Sequence, residues 1–211
     1  MNSMSTILVL APHTDDGEFG CGATIARYTE MGIRVIYAAF SAAEQSVLAH
    51  LPRDILRTEV RQATAMLGIA EDDCLVFDFQ VRRFPEFRQE ILDCMINLDR
   101  KYQPDMVFLP SINDTHQDHK TIASEGFRAF KRRTMLGYEV PLNNLDFRTS
   151  CFMEITEDNL RSKIKAIEMY QSQRHRPYAN YEYIRSLALM RGMQIGKSYA
   201  ETFEVVRWVM S

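Results

Sequence analysis

No cysteine of this chain lies in a Cys-x-x-Cys pair: Cys21, Cys74, Cys94 and Cys151 stand far apart. That spacing excludes a thiolate zinc site and a dense disulfide framework, and points to buried reduced thiols. No apolar run approaches the length of a membrane span, and no charged N-terminal stretch leads into an apolar core. A soluble, cytoplasmic protein is expected. An excess of one charge is also missing. A net charge of −3 creates no field that would attract nucleic acid or an anionic membrane, so neither is expected as a partner. The short basic run Lys131-Arg132-Arg133 reads as a solvated helix end. Repeats, low-complexity tracts and linkers are absent too. With 46% of 211 residues hydrophobic, the chain can bury one sizeable core, and one domain over 1–211 is expected.

What is present is an alternation of strands and helices. The apolar run Ile7-Leu8-Val9-Leu10 leads straight into Ala11-Pro12-His13-Thr14-Asp15-Asp16. Gly17, Gly20 and Gly22 follow, then helical sequence from about Ala23 to Met31 with Gly32 at its C-cap. A strand is predicted at Ile33–Phe40. The helix from Pro52 to Leu67 carries Ile55, Val60, Ala63 and Leu67 on one stripe and stops at Gly68. A strand at 74–79, a helix at 85–102 and a strand at 106–109 continue the rhythm, and a helix runs from beyond Asp118 to about Lys131. The remainder predicts a strand at 147–155, helices at 157–170 and 182–193, and a last strand at 203–209. This order implies an α/β fold: a mostly parallel sheet with helices on both faces.

Histidine is scarce, and its placement is informative. Of the five, His13, His116 and His119 fall in two loops that follow apolar strands, each beside aspartates. An open α/β sheet gathers ligands at the carboxyl ends of its strands, so these loops can meet although about 100 residues separate them. His13, Asp16 and His119 would make a two-imidazole, one-carboxylate metal set with room for water. Asp15, adjacent but aimed elsewhere, would serve as general base. His116, protonated, would stabilise the oxyanion and protonate the leaving amine, and Asp118 would orient an imidazole. Each piece also has a plain structural account: Asp15 or Asp16 as a helix cap, His116 and His119 as surface loop residues. Their joint position at two strand ends favours a site.

Other readings of the same residues remain. Two histidines and a carboxylate also form the facial triad of a non-haem iron oxygenase, although an alternating α/β chain is not its expected scaffold. A two-metal phosphoesterase normally needs more ligands than these loops supply. A non-catalytic nucleotide- or sugar-binding module would use the glycine cluster. That cluster fits neither Gly-x-Gly-x-x-Gly nor the Walker pattern, and its role reads as conformational: a tight loop and a helix lying close to the sheet. For substrate binding, Arg53 and Arg57 are candidates near the same sheet edge. The tyrosines between Tyr170 and Tyr183, with Arg174, His175 and Arg176, suit either a sugar or a contact between copies in a homo-oligomer.

At these positions the chain resembles the PIG-L / LmbE-like family of zinc-dependent N-deacetylases. The resemblance rests on Ala11-Pro12-His13-Thr14-Asp15-Asp16, on Gly20-Cys21-Gly22-Ala23-Thr24-Ile25 and on His116-Gln117-Asp118-His119. Weaker echoes lie at Glu59–Ala63 with Leu67-Gly68, at Ser172-Gln173 and at Tyr199–Phe203. It implies a Rossmann-like fold and removal of acetyl groups from N-acetylglucosamine-type amino sugars or their conjugates. It also implies zinc on His13, Asp16 and His119, with iron as a second ion such a set accepts. Asp15 is then the general base, and His116 polarises the carbonyl. The family usually has Pro where Thr14 and Gln117 stand, and often Glu where Gly17 stands; none of the three is a ligand position.

Overall fold

The computed structural model describes residues 4–174, 176 and 179–210. Its centre is β1 (Thr6–His13), whose Ile7 to Ala11 are wholly buried. Burial on both faces explains why the segment reads as an unbroken apolar run rather than an alternation. Parallel neighbours are β2 (Arg34–Ser41) on one side and β4 (Met106–Pro110) on the other. Outside them lie β3 (Cys74–Val76) and β5 (Thr134–Tyr138), also parallel. Beyond β5 come β7 (Ala200–Arg207), antiparallel to it, and β6 (Cys151–Glu154), antiparallel to β7, in the order β3-β2-β1-β4-β5-β7-β6. The expected mostly parallel sheet is present.

Alternate residues of β1 enter two cores. Ile7, Val9 and Ala11 pack with helices α1 (Asp16–Glu30), α2 (Ile55–Met66) and α5 (Glu157–Glu168). Leu8 and Leu10 pack on the other face with α3 (Arg88–Tyr102) and α4 (Gln117–Ala129). A sixth helix, α6 (Tyr181–Met193), adds Ile184 and Ala188 to a smaller cluster against α5. Among the described residues no helix is long and apolar enough to cross a membrane.

Two elements differ from the sequence expectation. The first helix starts at Asp16, not near Ala23, and absorbs the glycine cluster. Glycine is a poor helix former in isolation, but close packing requires it here. A methyl group at Gly20 would fall 2.2 Å from Cδ2 of Tyr138, and one at Gly17 would fall 2.5 Å from Cε2 of Tyr37. The helix breaks once, at Cys21 (φ −147°, ψ 23°). The break strands the Phe19 carbonyl and the Ala23 N–H, which would otherwise pair. Lys163 Nζ donates to the carbonyl at 2.7 Å, and Glu201 accepts from the N–H groups of Ala23 (3.2 Å) and Thr24 (2.7 Å). Lys163 and Glu201 then close on each other at 2.6 Å. A kinked backbone group is thus satisfied by a buried ion pair. The second difference is β5, which the sequence does not announce. It is five residues long and follows the basic turn at 131–133 without a glycine or proline to mark it.

Candidate metal centre and active site

β1 and β4 are neighbours, yet the chain leaves β1 towards β2 and reaches β4 only after β3. This reversal is a topological switch point, where an open sheet leaves a crevice beyond its strand ends. Both histidine loops project into it. His13 is the last residue of β1, and Asp16 opens α1. His13 Nδ1 lies 3.0 Å from Asp16 Oδ2, which also accepts the His13 N–H at 2.8 Å. Asp15 occupies the N-cap position of α1 but makes no side-chain capping bond, so its carboxyl group is left to the cleft it lines.

From the first turn of α4, His119 Nε2 approaches the same Asp16 oxygen at 3.2 Å. His13, Asp16 and His119 therefore offer ligand atoms within 4.8 Å of one another. His13 Nε2 faces Asp118 Oδ2 at 3.0 Å, and His119 Nδ1 faces Asp114 Oδ2 at 2.7 Å. Each imidazole thus has one nitrogen on the shared point and the other on a buried carboxylate, the arrangement that fixes metal-binding histidines. Asp114 is absent from the sequence-based set. Its position two residues before His116, whose N–H it accepts at 2.8 Å, was the available signal. Asp118 is itself held by backbone N–H groups of Arg82 (2.6 Å) and Phe84 (3.2 Å). Arg82 adopts a left-handed φ of 68° to present its N–H. A second triple, His13, His116 and Asp118, is also compact, but its members are already hydrogen-bonded in supporting roles.

The electrostatics match a cation site. Burial alone would lower the affinity of His13 for a proton, but Asp16 and Asp118 raise it to about 9. His119 behaves likewise, raised to about 10 by Asp16 and Asp114 against burial. Burial opposes ionisation of Asp16, yet the two histidines hold its carboxyl well below the usual range. Without metal the centre therefore keeps protons where a cation would sit, and the donor set fits a divalent ion. Asp15 moves the other way: burial, and then the charge of Asp16, raise its carboxyl above the usual value. His116 departs from expectation. Burial and the neighbouring His13 and His119 push it below 6.5, favouring the neutral ring. Its Nδ1 accepts the Asp118 N–H at 3.2 Å, so the hydrogen of the neutral ring resides on Nε2.

The family described as PIG-L, GlcNAc-PI de-N-acetylase, matches residues 8–130, more than half of the chain. The chain belongs to the PIG-L family. A diacetylchitobiose deacetylase of Thermococcus kodakarensis is 25% identical over 97% of this chain and 84% of its own. Among solved structures, the conserved protein TT1542 from Thermus thermophilus superposes with a TM-score of 0.81 at 25% identity, covering 99% and 97% of the two chains. GalB of Pseudomonas putida KT2440, a 4-carboxy-2-hydroxymuconate hydratase, shares the fold with a TM-score of 0.79 at 22% identity, covering 99% and 98%. A hydratase on this scaffold means that chemistry has to be argued from the site.

The loop around Thr14 and Gly17 in this PIG-L member is held by a buried polar network. The Thr14 carbonyl accepts from the hydroxyls of Tyr37 (2.8 Å) and Tyr170 (2.7 Å), and the Gly17 N–H donates to the Tyr37 oxygen at 3.0 Å. Both hydroxyls also meet the carboxyl group of Glu18, which is wholly buried. Burial pushes Glu18 up to about 8, opposed by its contacts with both tyrosine oxygens. The backbone between His13 and Asp15 thus rests on a closed polar cradle. Gly17 is needed because the Tyr37 ring occupies the space of a side chain.

The crevice is a cleft of about 310 Å³ that includes His13, Asp15, Asp16, His116 and His119 in its lining. Arg53 and Arg57 do not line it. Arg53 is exposed, and Arg57 is engaged by Glu44 and Asp78 beside the lining residue Leu56. The cations that do line it are Arg82, Lys163, Arg176 and Arg191. Of the tyrosine-rich segment, Tyr183 and Arg176 reach the cleft, whereas His175, Pro177 and Tyr178 lie outside the described residues.

Proposed function

We propose that this protein is a zinc-dependent hydrolase that removes the acetyl group from an N-acetylated amino sugar or its conjugate. The observation that carries this reading is the convergence of His13, Asp16 and His119 on one point, with Asp15 beside them in the same cleft. Membership of the PIG-L family and the diacetylchitobiose deacetylase relative support the substrate class. Two imidazoles and one carboxylate leave coordination positions free for water and substrate, as catalytic zinc requires. A zinc ion held there supplies a Lewis acid that polarises the amide carbonyl and acidifies water; ferrous iron suits the same donors.

The protein's own groups divide the proton work. Asp15, whose proton affinity is raised by burial, takes a proton from the attacking water and returns it to the leaving nitrogen. His116 acts as a neutral donor through Nε2, towards the carbonyl oxygen as that oxygen gains charge. Asp118 and Asp114 keep His13 and His119 in register. Water adds to the carbonyl carbon, the carbon–nitrogen bond breaks, and acetate and a free amine leave.

The test is release of acetate and amine in equal amounts from N-acetylglucosamine, diacetylchitobiose and nucleotide-linked N-acetyl sugars. Activity should vanish on chelation and return with zinc. Turnover insensitive to chelation, or silence of the metal-loaded protein across the panel, would overturn the reading.

A further inference from the structure

The cleft wall carries a polar group that the proposed chemistry does not use. Gln173 lines the cleft and is 6% exposed, yet its Oε1 has no hydrogen-bond partner. Buried acceptors without a donor are rare enough to require an explanation. The orientation of this amide is not free. Glu59, 3% exposed, accepts the Ser172 N–H at 3.0 Å and the Ser172 hydroxyl at 2.5 Å. The Ser172 proton is therefore committed to Glu59, and its oxygen can only accept. It accepts from Gln173 Nε2 at 3.1 Å. Turning the amide over would set Gln173 Oε1 against that oxygen, acceptor against acceptor. A buried carboxylate thus fixes a serine, and the serine fixes the amide with its oxygen unsatisfied. A second residue of the same lining, Ser46, also has a buried hydroxyl oxygen without a partner.

We infer that Gln173 forms a subsite for a hydroxyl-bearing ring of the substrate. The inference rests on the deacetylase reading and narrows it. An acceptor-only oxygen needs an O–H or N–H from its ligand and repels a carboxylate or phosphate oxygen. The ligand part seated there is neutral and carries donors, as a sugar ring does and a dicarboxylate does not. The Glu59–Ser172 relay keeps Gln173 from turning its N–H group to the ligand instead, so it selects for donors. Gln173 is thereby a specificity-determining residue, separate from the groups that move protons.

Two amides with the same reacting bond decide it: N-acetylglucosamine, and N-cyclohexylacetamide, whose ring has no hydroxyls. On the zinc-loaded protein, Gln173→Met should lower kcat/KM for the sugar about tenfold or more and leave the cyclohexyl amide unchanged. Equal losses on both amides, or no loss on the sugar, overturn the subsite. Should Gln173→Met fail to fold, the wild-type protein still answers through sugar analogues each lacking one ring hydroxyl. One analogue must lose about tenfold in kcat/KM, and a flat series overturns the inference. If the wild type hydrolyses neither these amides nor diacetylchitobiose nor a nucleotide-linked N-acetyl sugar, the deacetylase reading fails by itself. Calorimetry then decides the subsite: N-acetylglucosamine must bind the zinc-loaded wild type and bind Gln173→Met more weakly. Absent or equal binding overturns it.

Discussion

His13 Nε2 lies 3.0 Å from Oδ2 of Asp118, and this contact decides which nitrogen His13 turns towards Asp16. With Nε2–H donated to Asp118, the lone pair on Nδ1 is left for a metal ion. Asp118 can hold this line because Arg82 N–H and Phe84 N–H fix both of its oxygens. In Asp118→Asn an amide NH2 must face either the His13 ring or one of those backbone donors. The expected result is metal affinity weaker by about 10- to 100-fold with the fold retained. Competition against a coloured chelator measures it, and unchanged affinity would show that Asp118 does not orient His13.

Asp15 and Asp16 are adjacent but have opposite surroundings, and their variants should separate accordingly. Asp16 is the oxygen shared by His13 and His119, so Asp16→Ala should lose the metal. Asp15 touches neither imidazole within ion-pair distance. Asp15→Ala should keep one metal ion per chain and lose about 10²- to 10⁴-fold in kcat. Metal analysis beside steady-state kinetics checks both, and a fully active Asp15→Ala would remove it from the role of base.

The proton affinities of the centre give a calorimetric prediction. With values of about 9 and 10, His13 and His119 are both protonated at pH 7 in the metal-free protein. Metal binding must expel these protons, so close to two should be released per ion. Unperturbed histidines would together release only about half a proton. Titrations with zinc in buffers of different ionisation enthalpy give the count. Both values are raised above 6.5, so the stability they contribute to the metal-free protein is complete below pH 6.5. It is lost as pH rises through about 9 to 10.

The sequence exposed the centre more fully than its supports. The run from Ile7 to Asp16 was legible because a doubly buried strand leaves a continuous apolar signature, and because histidines are few enough for two clusters to stand out. The first turns of α1 were not legible. Helix propensity argues against Gly17 and Gly20, and only the rings of Tyr37 and Tyr138 show why small residues are required there. β5 was hidden because no glycine or proline marks the turn before it, and Asp114 because only its place two residues before His116 sets it apart from a turn aspartate. Burial, and then two other imidazoles facing the same point, lower the proton affinity of His116, a relationship no spacing reveals. Arg53 and Arg57 lie near a sheet edge in the sequence reading, and the cleft is lined instead by Lys163 of α5, Arg191 of α6 and two loop arginines, Arg82 and Arg176.

Glu18 offers a last test of how the loop is supported. It is wholly buried between the hydroxyls of Tyr37 and Tyr170, and burial raises it from 4.5 to about 8. The native state therefore holds a proton that the unfolded chain has released at neutral pH. Its contribution to stability is complete below pH 4.5 and is lost progressively as pH rises through about 8. A glutamine keeps the shape and stays neutral at every pH. Glu18→Gln should flatten the fall in stability between pH 5 and about 8, and its advantage over wild type should grow across that interval. Urea midpoints of the two proteins, both zinc-loaded so that His13 and His119 do not titrate, isolate the effect. Parallel curves for the two would mean that Glu18 is ionised in its cradle, with both tyrosine hydroxyls turned to it and away from the Thr14 carbonyl.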